Sequence, residues 1–264
     1  VFRAPSGVSM LSAVLGAGTQ ILFTSFLLLC CVLAGVFKAT KRGSVLTACI
    51  ILYAICGVVG GLVAGRVFKQ MKGKNWVWNT ILTACTFPVP LLAVFMVVNT
   101  IAATHDSTAA LPFTTILIVL AILLFVHLPL TVVGAILGRN ISEEYKAPCR
   151  TNKAVREIPA PQMWYQQPVA QIFMAGFLPF SAIYIELHYI FAAIWGHKIY
   201  TLFGILLLAF IMLVIVSAFI TVALAYFQLA REDHRWWWSA VFNGGATGLF
   251  IFAYSFYYLE YRSN

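Results

Sequence analysis

The sequence predicts an all-α polytopic membrane protein, a helix bundle with about seven transmembrane helices, some of them kinked at proline. Of its 264 residues, 62% are hydrophobic and 9% are charged, against about 25% charged in an ordinary soluble domain. The apolar residues form seven long runs, and most Lys and Arg residues lie in the short loops between them, where they set membrane orientation. The net charge of +9 therefore indicates membrane topology and not a nucleic-acid partner.

Each run is long enough to cross about 30 Å of hydrocarbon as a helix that rises about 1.5 Å per residue. We predict a single transmembrane domain over 1–264 with a cytosolic loop at 139–167. The spans are predicted near 9–37, 44–68, 77–103, 110–138, 168–195, 200–228 and 240–260. Five of the six cysteines fall inside these runs, which argues against the disulfide framework of a secreted protein.

The basic residues are distributed unevenly across the membrane. Of the 17 Lys and Arg residues, 12 fall on the side that holds the start of the chain and 5 on the other side. The positive-inside rule then predicts that the start is cytosolic and the end lumenal. The sequon at Asn140 is therefore predicted to carry no glycan, and the same orientation argues against a G-protein-coupled receptor.

Small residues recur at four-residue steps in two of the spans. Gly57, Gly61 and Gly65 share one helix face, and so do Gly244 and Gly248. Such faces let another helix approach closely. The partner is either a neighbouring helix of this chain or a helix of a client protein, and Pro179 and Glu186 of the fifth span are further candidates for such contacts.

Prolines lie inside three of the spans. Pro88 and Pro90 fall in the third, Pro129 in the fourth and Pro179 in the fifth. Because proline lacks a backbone N–H and its ring clashes with the preceding turn, we expect kinked or broken helices at these positions.

Ionisable side chains also lie inside the apolar runs. An ionisable residue at the centre of a transmembrane helix costs about 2.5–3.5 kcal/mol on translocon scales, and His127, Glu186 and His188 all lie well inside predicted spans. Glu186 and His188 are two residues apart, so they point to different helix faces. Each of the three either forms a structural hydrogen bond between helices or lines a path for an ion.

The motifs of common enzymes are missing from the sequence. It contains no Walker-type glycine loop, no HExxH, no CxxC and no GxSxG, so nothing indicates phosphoryl transfer, metalloprotease or serine-hydrolase chemistry. We predict no enzyme activity, no cofactor and no metal site.

Several motifs resemble those of one family. They are 158–165, 177–180, 184–187 and 232–238, together with the opening segment 1–20. Over essentially its whole length the chain resembles the nonaspanins, the transmembrane-nine superfamily.

The resemblance implies that the chain is a fragment. A lumenal domain and one span would precede it, and one span and a cytosolic sorting tail would follow it. It also implies residence in Golgi and endosomal membranes, and sorting or surface delivery of client membrane proteins, including clients with glycine-rich spans. Coat or sorting machinery would bind the tail.

Two functions remain open from the sequence. The favoured one is a non-enzymatic sorting protein that contacts client helices. The alternative is a transporter or channel that uses His127, Glu186 and His188 beside broken helices. Phe219 stands where relatives often carry an acid, which leaves Glu186 as the candidate acid of such a path.

Overall fold

The computed structural model describes residues 3–37, 43–105, 110–146, 167–196 and 199–263. Most of the predicted loop at 139–167, including the 158–165 motif, lies outside the described residues. In the described part the chain is helical. The elements are α1 (Val8–Leu33), α2 (Ser44–Ile55), α3 (Gly57–Gln70), α4 (Trp76–Thr86), α5 (Pro88–Thr104), α6 (Phe113–Ile122), a π-helical turn (Leu123–His127), α7 (Leu128–Ile141), α8 (Pro168–Trp195), α9 (Ile199–Ala230) and α10 (Trp236–Ser263).

Six helical segments of the described chain are long and apolar enough to cross a membrane. They are Val8–Leu33, Ser44–Gln70, Trp76–Thr104, Phe113–Ile141, Pro168–Trp195 and Leu202–Ala230. The seventh predicted span, 240–260, lies within α10, a helix of 28 residues. Its glycines, its tyrosines and Asn243 make it less apolar than the other six. The predicted all-α polytopic bundle is confirmed.

Two spans change helical geometry beside proline. In the third, α4 gives way to α5 at Phe87, directly before Pro88, because Pro88 and Pro90 have no backbone N–H to continue the hydrogen bonds of α4. In the fourth, the π-helical turn ends at His127 and Pro129 follows in the first turn of α7. Widened turns of this kind accommodate a residue that cannot donate its backbone hydrogen bond.

Of the two outcomes expected at Pro179, a kinked or a broken helix, the structure excludes the break. α8 runs continuously from Pro168 to Trp195 with Pro179 in its interior. The Pro179 side chain is fully buried. Tertiary packing on the proline therefore holds the helix through a position where the isolated segment would tend to break.

The chain forms two compact units. One comprises Ser6–Lys146 and contains α1 to α7, and the other comprises Val1–Pro5 with Ala147–Asn264 and contains α8 to α10. The single domain over 1–264 stays a prediction.

In the first unit, α3 and α7 pack backbone against backbone. A methyl group added at Gly61 would overlap the carbonyl oxygen of Thr131, and one added at Gly134 would overlap the carbonyl oxygen of Val58. The other glycines of this contact are Gly57, Gly65 and Gly138. Because both helices lack side chains at the crossing, the two backbones come into direct van der Waals contact, which is a main source of stability between helices in lipid.

The core of the second unit is aromatic. Leu187 of α8 is buried with Tyr254 and Tyr258 of α10. The ring of Phe180 lies 5.9 Å from that of Tyr254 in an edge-to-face arrangement, a geometry that aromatic pairs prefer. Ring contacts thus pair α8 with α10.

The outside of both units is apolar. Phe125 is 74% exposed, and Phe219 is 73% exposed. Glycine, alanine, threonine and a few larger polar side chains lie inside instead. This distribution, apolar outward and small or polar inward, suits lipid as the surrounding solvent, and contact with the lipid bilayer follows from it.

Candidate functional site

His127 and Gln20 meet in the interior of the first unit, and both are almost fully buried. The Gln20 Nε2 group donates a hydrogen bond to the Tyr53 carbonyl oxygen at 2.9 Å and lies 3.4 Å from His127 Nδ1. The Tyr53 ring lies 5.0 Å from the imidazole. One carboxamide therefore joins α1, α2 and the π-helical turn.

Glycines of α3 make room for these two side chains. A methyl group added at Gly57 would lie 2.8 Å from His127 Nδ1, and one added at Gly60 would lie 2.7 Å from Gln20 Oε1. Both distances are shorter than real Cβ contacts allow. Gly57, predicted as a packing residue, thus lies directly against the predicted ion-path residue His127.

Two atoms of this cluster have no hydrogen-bond partner of ordinary geometry among the described residues. They are Gln20 Oε1 and His127 Nε2, and both are buried. Buried polar atoms are nearly always paired, and leaving them unpaired in an apolar environment costs free energy. Backbone groups of Ala54 and Ala84 lie near the imidazole, so the cluster is a polar centre enclosed by the chain's own helices.

A second buried polar group connects α1 with α4. The Ser12 hydroxyl donates to Asn79 Oδ1 at 2.5 Å, and the Thr83 hydroxyl donates to the Asn79 backbone oxygen at 2.8 Å. All three residues are buried. Gln20, Ser12 and Asn79 belong to no predicted site, although each is detectable in the sequence as a polar residue inside an apolar run.

The candidate residues of α8 lie in the second unit. Glu186 is half-buried, and its Oε2 atom is buried without a hydrogen-bond partner among the described residues. His188 Nδ1 lies 3.2 Å from the Tyr254 hydroxyl. Tyr184 also contacts Tyr254, with ring centroids 5.3 Å apart. His188 is thus tied to α10, whereas Glu186 has an oxygen that the described chain leaves unpaired.

The glycine candidates divide into two kinds. Gly57, Gly61 and Gly65 face the π-helical turn and α7 of their own unit, so the chain itself fills that face. Gly244 and Gly248 are exposed: an added methyl at Gly244 would have Thr221 Oγ1 as its nearest atom, at 3.7 Å, and one at Gly248 would meet nothing within 4 Å. The α3 face is therefore filled by the chain's own helices, whereas the described residues leave open space around Gly244 and Gly248 of α10.

The turn between α9 and α10 is organised by one carboxylate. Asp233 Oδ1 accepts the Arg235 backbone N–H at 2.9 Å, and Oδ2 accepts the Gln228 amide at 3.0 Å. Burial by itself would raise the pKa of Asp233, but these donors and the Arg235 charge outweigh it and lower the pKa. The ionised carboxylate therefore holds the chain where it enters α10.

Comparison with known proteins covers the whole chain. Residues 1–264 match the family model described as Endomembrane protein 70. The chain is similar to transmembrane 9 superfamily member 4 of Arabidopsis thaliana, with 51% identity over 264 residues, 100% of this chain and 44% of that protein. It is also similar to transmembrane 9 superfamily member 1 of Mus musculus, with 47% identity over 264 residues, 100% of this chain and 43% of that protein.

A third relative is named as a candidate phagocytic receptor of Dictyostelium discoideum. It is 49% identical over 236 residues, 89% of this chain and 40% of that protein. The chain thus spans less than half the length of these relatives. No solved structure matches it.

Proposed function

Because this chain belongs to the endomembrane protein 70 family, the transmembrane 9 superfamily, we propose that it sorts client membrane proteins or delivers them to the cell surface through contacts between transmembrane helices. The family assignment confirms the resemblance to nonaspanins. It also confirms an integral membrane protein, and the family and relatives that match are named as membrane proteins and not as enzymes.

The single observation that carries this proposal is the open small-residue face of α10. Gly244, Gly245 and Gly248 are all exposed and have almost no neighbouring atoms. Leu249 and Phe252, both largely exposed, follow along the same helix. A client span that carries glycines of its own can approach this face closely and gain van der Waals contact along its length.

The same proposal includes the membranes in which the protein works and its other partners. The protein works in Golgi and endosomal membranes, with the start of this chain in the cytosol and its end on the lumenal side. Coat or sorting machinery binds a tail of the whole protein that lies outside this chain.

The test replaces two glycines of the open α10 face with larger residues. We expect Gly244→Leu combined with Gly248→Leu to reduce co-purification of a co-expressed client that has a glycine-rich span by at least tenfold. Gly204→Leu is the matched control, because Gly204 of α9 is also exposed with no atom within 4 Å of an added methyl. Equal client recovery with the double variant and with the control, at unchanged thermal stability, would exclude this face.

One observation favours a second function, ion or proton transport. Each unit has buried polar atoms in membrane-length helices with no hydrogen-bond partner of ordinary geometry among the described residues: Gln20 Oε1 and His127 Nε2 in the first, and Glu186 Oε2 in the second. Glu186→Gln keeps the shape of the side chain and removes its charge. Loss of proton flux in reconstituted vesicles, with client recovery unchanged, would assign transport, and unchanged flux would exclude a role for Glu186 in it.

A further inference from the structure

A pocket opens at one end of the first unit, where α3 ends, α4 begins and α7 ends. Its volume is about 260 Å³, near the lower end of the roughly 300–1,000 Å³ of small-molecule pockets. Lys69, Lys72, Lys74 and Arg139 line it together with one carboxylate, Glu144. The pocket volume and the excess of positive charge along its lining are suited to binding a small anionic group.

The turn after α3 builds one wall of the pocket. Lys72 adopts a left-handed conformation, with φ at 56°, and the Gly73 N–H donates to the Phe68 carbonyl oxygen at 3.1 Å. A methyl group added at Gly73 would overlap the Phe68 ring. This cap, typical of helix ends, places the lysines that flank Gly73 at the pocket by backbone geometry.

Two of the cations are held in place by other groups of the pocket. The Lys69 ammonium donates to the Arg139 carbonyl oxygen at 2.8 Å. The Arg139 guanidinium lies over the Trp76 ring, 5.4 Å from its centroid, a cation–π contact that orients the fork of donors. The planar guanidinium is therefore pre-oriented to donate two parallel hydrogen bonds to the oxygens of a phosphate group.

The ion pair between Lys72 and Glu144 is weak. Lys72 Nζ lies 3.3 Å from Glu144 Oε2, and about two-thirds of each side chain is exposed. Exposed pairs of this kind contribute little to stability. Glu144 therefore competes with a bound anion for Lys72 without holding the turn together.

The interior end of the pocket is polar. Asn79 lines it, and its Oδ1 atom accepts the Ser12 hydroxyl. Because the Asn79 carboxamide oxygen already accepts this hydrogen bond, the NH₂ group of the side chain is the donor that faces a ligand. A phosphate oxygen can accept from this group as well as from the cations.

The pocket lies at the depth of the lipid headgroups. Ser44–Gln70 and Trp76–Thr104 are both membrane-length segments, and the pocket lies between the end of one and the start of the other. Trp76 and Trp78 at this boundary are typical of the membrane interface. Basic pockets between helices at this depth are typical sites for phosphorylated lipid headgroups.

We propose that this pocket binds the phosphate of an anionic membrane lipid, with Arg139, Lys72 and Lys74 as the principal ligands and Asn79 as a donor at its base. The lipid tails lie beside the exposed apolar faces of the spans. By the charge distribution of the chain, this leaflet is the cytosolic one.

The test measures lipid binding to the purified chain in nanodiscs. We expect nanodiscs of phosphatidylcholine with a phosphoinositide to raise Tm relative to phosphatidylcholine alone. Arg139→Gln and Lys74→Gln should each weaken phosphoinositide affinity about fivefold, the effect expected for one surface charge. Arg66→Gln is the matched control, since Arg66 is exposed on α3 but does not line the pocket.

A third variant should change phosphoinositide affinity in the opposite direction. Glu144→Gln should tighten phosphoinositide binding several-fold because it releases Lys72 from the competing carboxylate. Binding at this pocket would be excluded if Arg66→Gln lost as much affinity as the pocket variants. It would also be excluded if none of the variants changed the affinity. An equal rise in Tm from soluble inositol phosphate in neutral nanodiscs would overturn the lipid assignment.

Discussion

Gln20 and His127 are 107 residues apart in the sequence, yet Gln20 Nε2 lies 3.4 Å from His127 Nδ1 in the middle of the first unit. Space for this contact exists because α3 presents glycine at positions 57 and 60. The pair joins the first and fourth spans through polar atoms, and Gln20 also holds the second span through the Tyr53 carbonyl oxygen.

Replacing Gln20 tests how much this contact stabilises the unit. Gln20→Leu should lower the free energy of unfolding by about 1–2 kcal/mol, because the hydrogen bond to Tyr53 is lost and the imidazole loses its polar neighbour. Chemical unfolding in detergent micelles measures the change. Thr19→Ala is the control: its hydroxyl bonds only within α1, to Gly16, so the change should stay within about 0.5 kcal/mol.

The α3–α7 contact predicts opposite effects for the same substitution at two glycines. Gly61→Ala should destabilise by about 1–3 kcal/mol, since its methyl group would overlap the Thr131 carbonyl oxygen. Gly18→Ala should stabilise by about 0.5–1 kcal/mol, since Gly18 lies in α1 with no atom within 4 Å of an added methyl. Thermal unfolding compares the two, and equal shifts would contradict the packing at Gly61.

The lowered pKa of Asp233 predicts a pH dependence at the start of α10. A carboxyl group with a lowered pKa in the folded state stabilises that state above its ordinary pKa and stops doing so as the pH falls through the folded value. On acidification, the protection factors of the amides around 228–239, which are corrected for the slower intrinsic exchange in acid, should therefore fall. Asp233→Asn should show low protection factors at neutral pH and little further change in acid, whereas a wild-type-like pH response in this variant would exclude Asp233 as the titrating group.

The predicted topology can be tested with cysteine labelling in sealed microsomal vesicles whose cytosolic face is outward. In a Cys149→Ser background, Glu143→Cys should react with a membrane-impermeant maleimide without detergent, and His105→Cys should react only after detergent is added. Both positions are exposed at the ends of helical segments. The reverse pattern, or a glycan on Asn140, would invert the orientation.

Residue types along the chain were enough to predict the helices, six membrane-length segments and two of the irregular positions. Pro88 and Pro129 mark the changes of geometry in the third and fourth spans because a missing N–H acts locally, whatever surrounds it. At Pro179 α8 is continuous, so a proline in the sequence does not by itself decide whether a helix breaks. The glycine spacing indicated close approach in two spans, but Gly61 meets a partner helix and Gly248 meets none, and spacing alone does not distinguish the two.

The sequence alone determined that this protein is a bundle of membrane helices. The free energy of transferring a segment into lipid depends on the length of its apolar run and on the basic residues beside it, so each segment can be assessed separately. Only the tertiary structure decided which polar residues meet. The contact of Gln20 with His127, and the pocket beneath Arg139, arise where three or more helices cross, and the choice of neighbours depends on the packing of all the side chains at once.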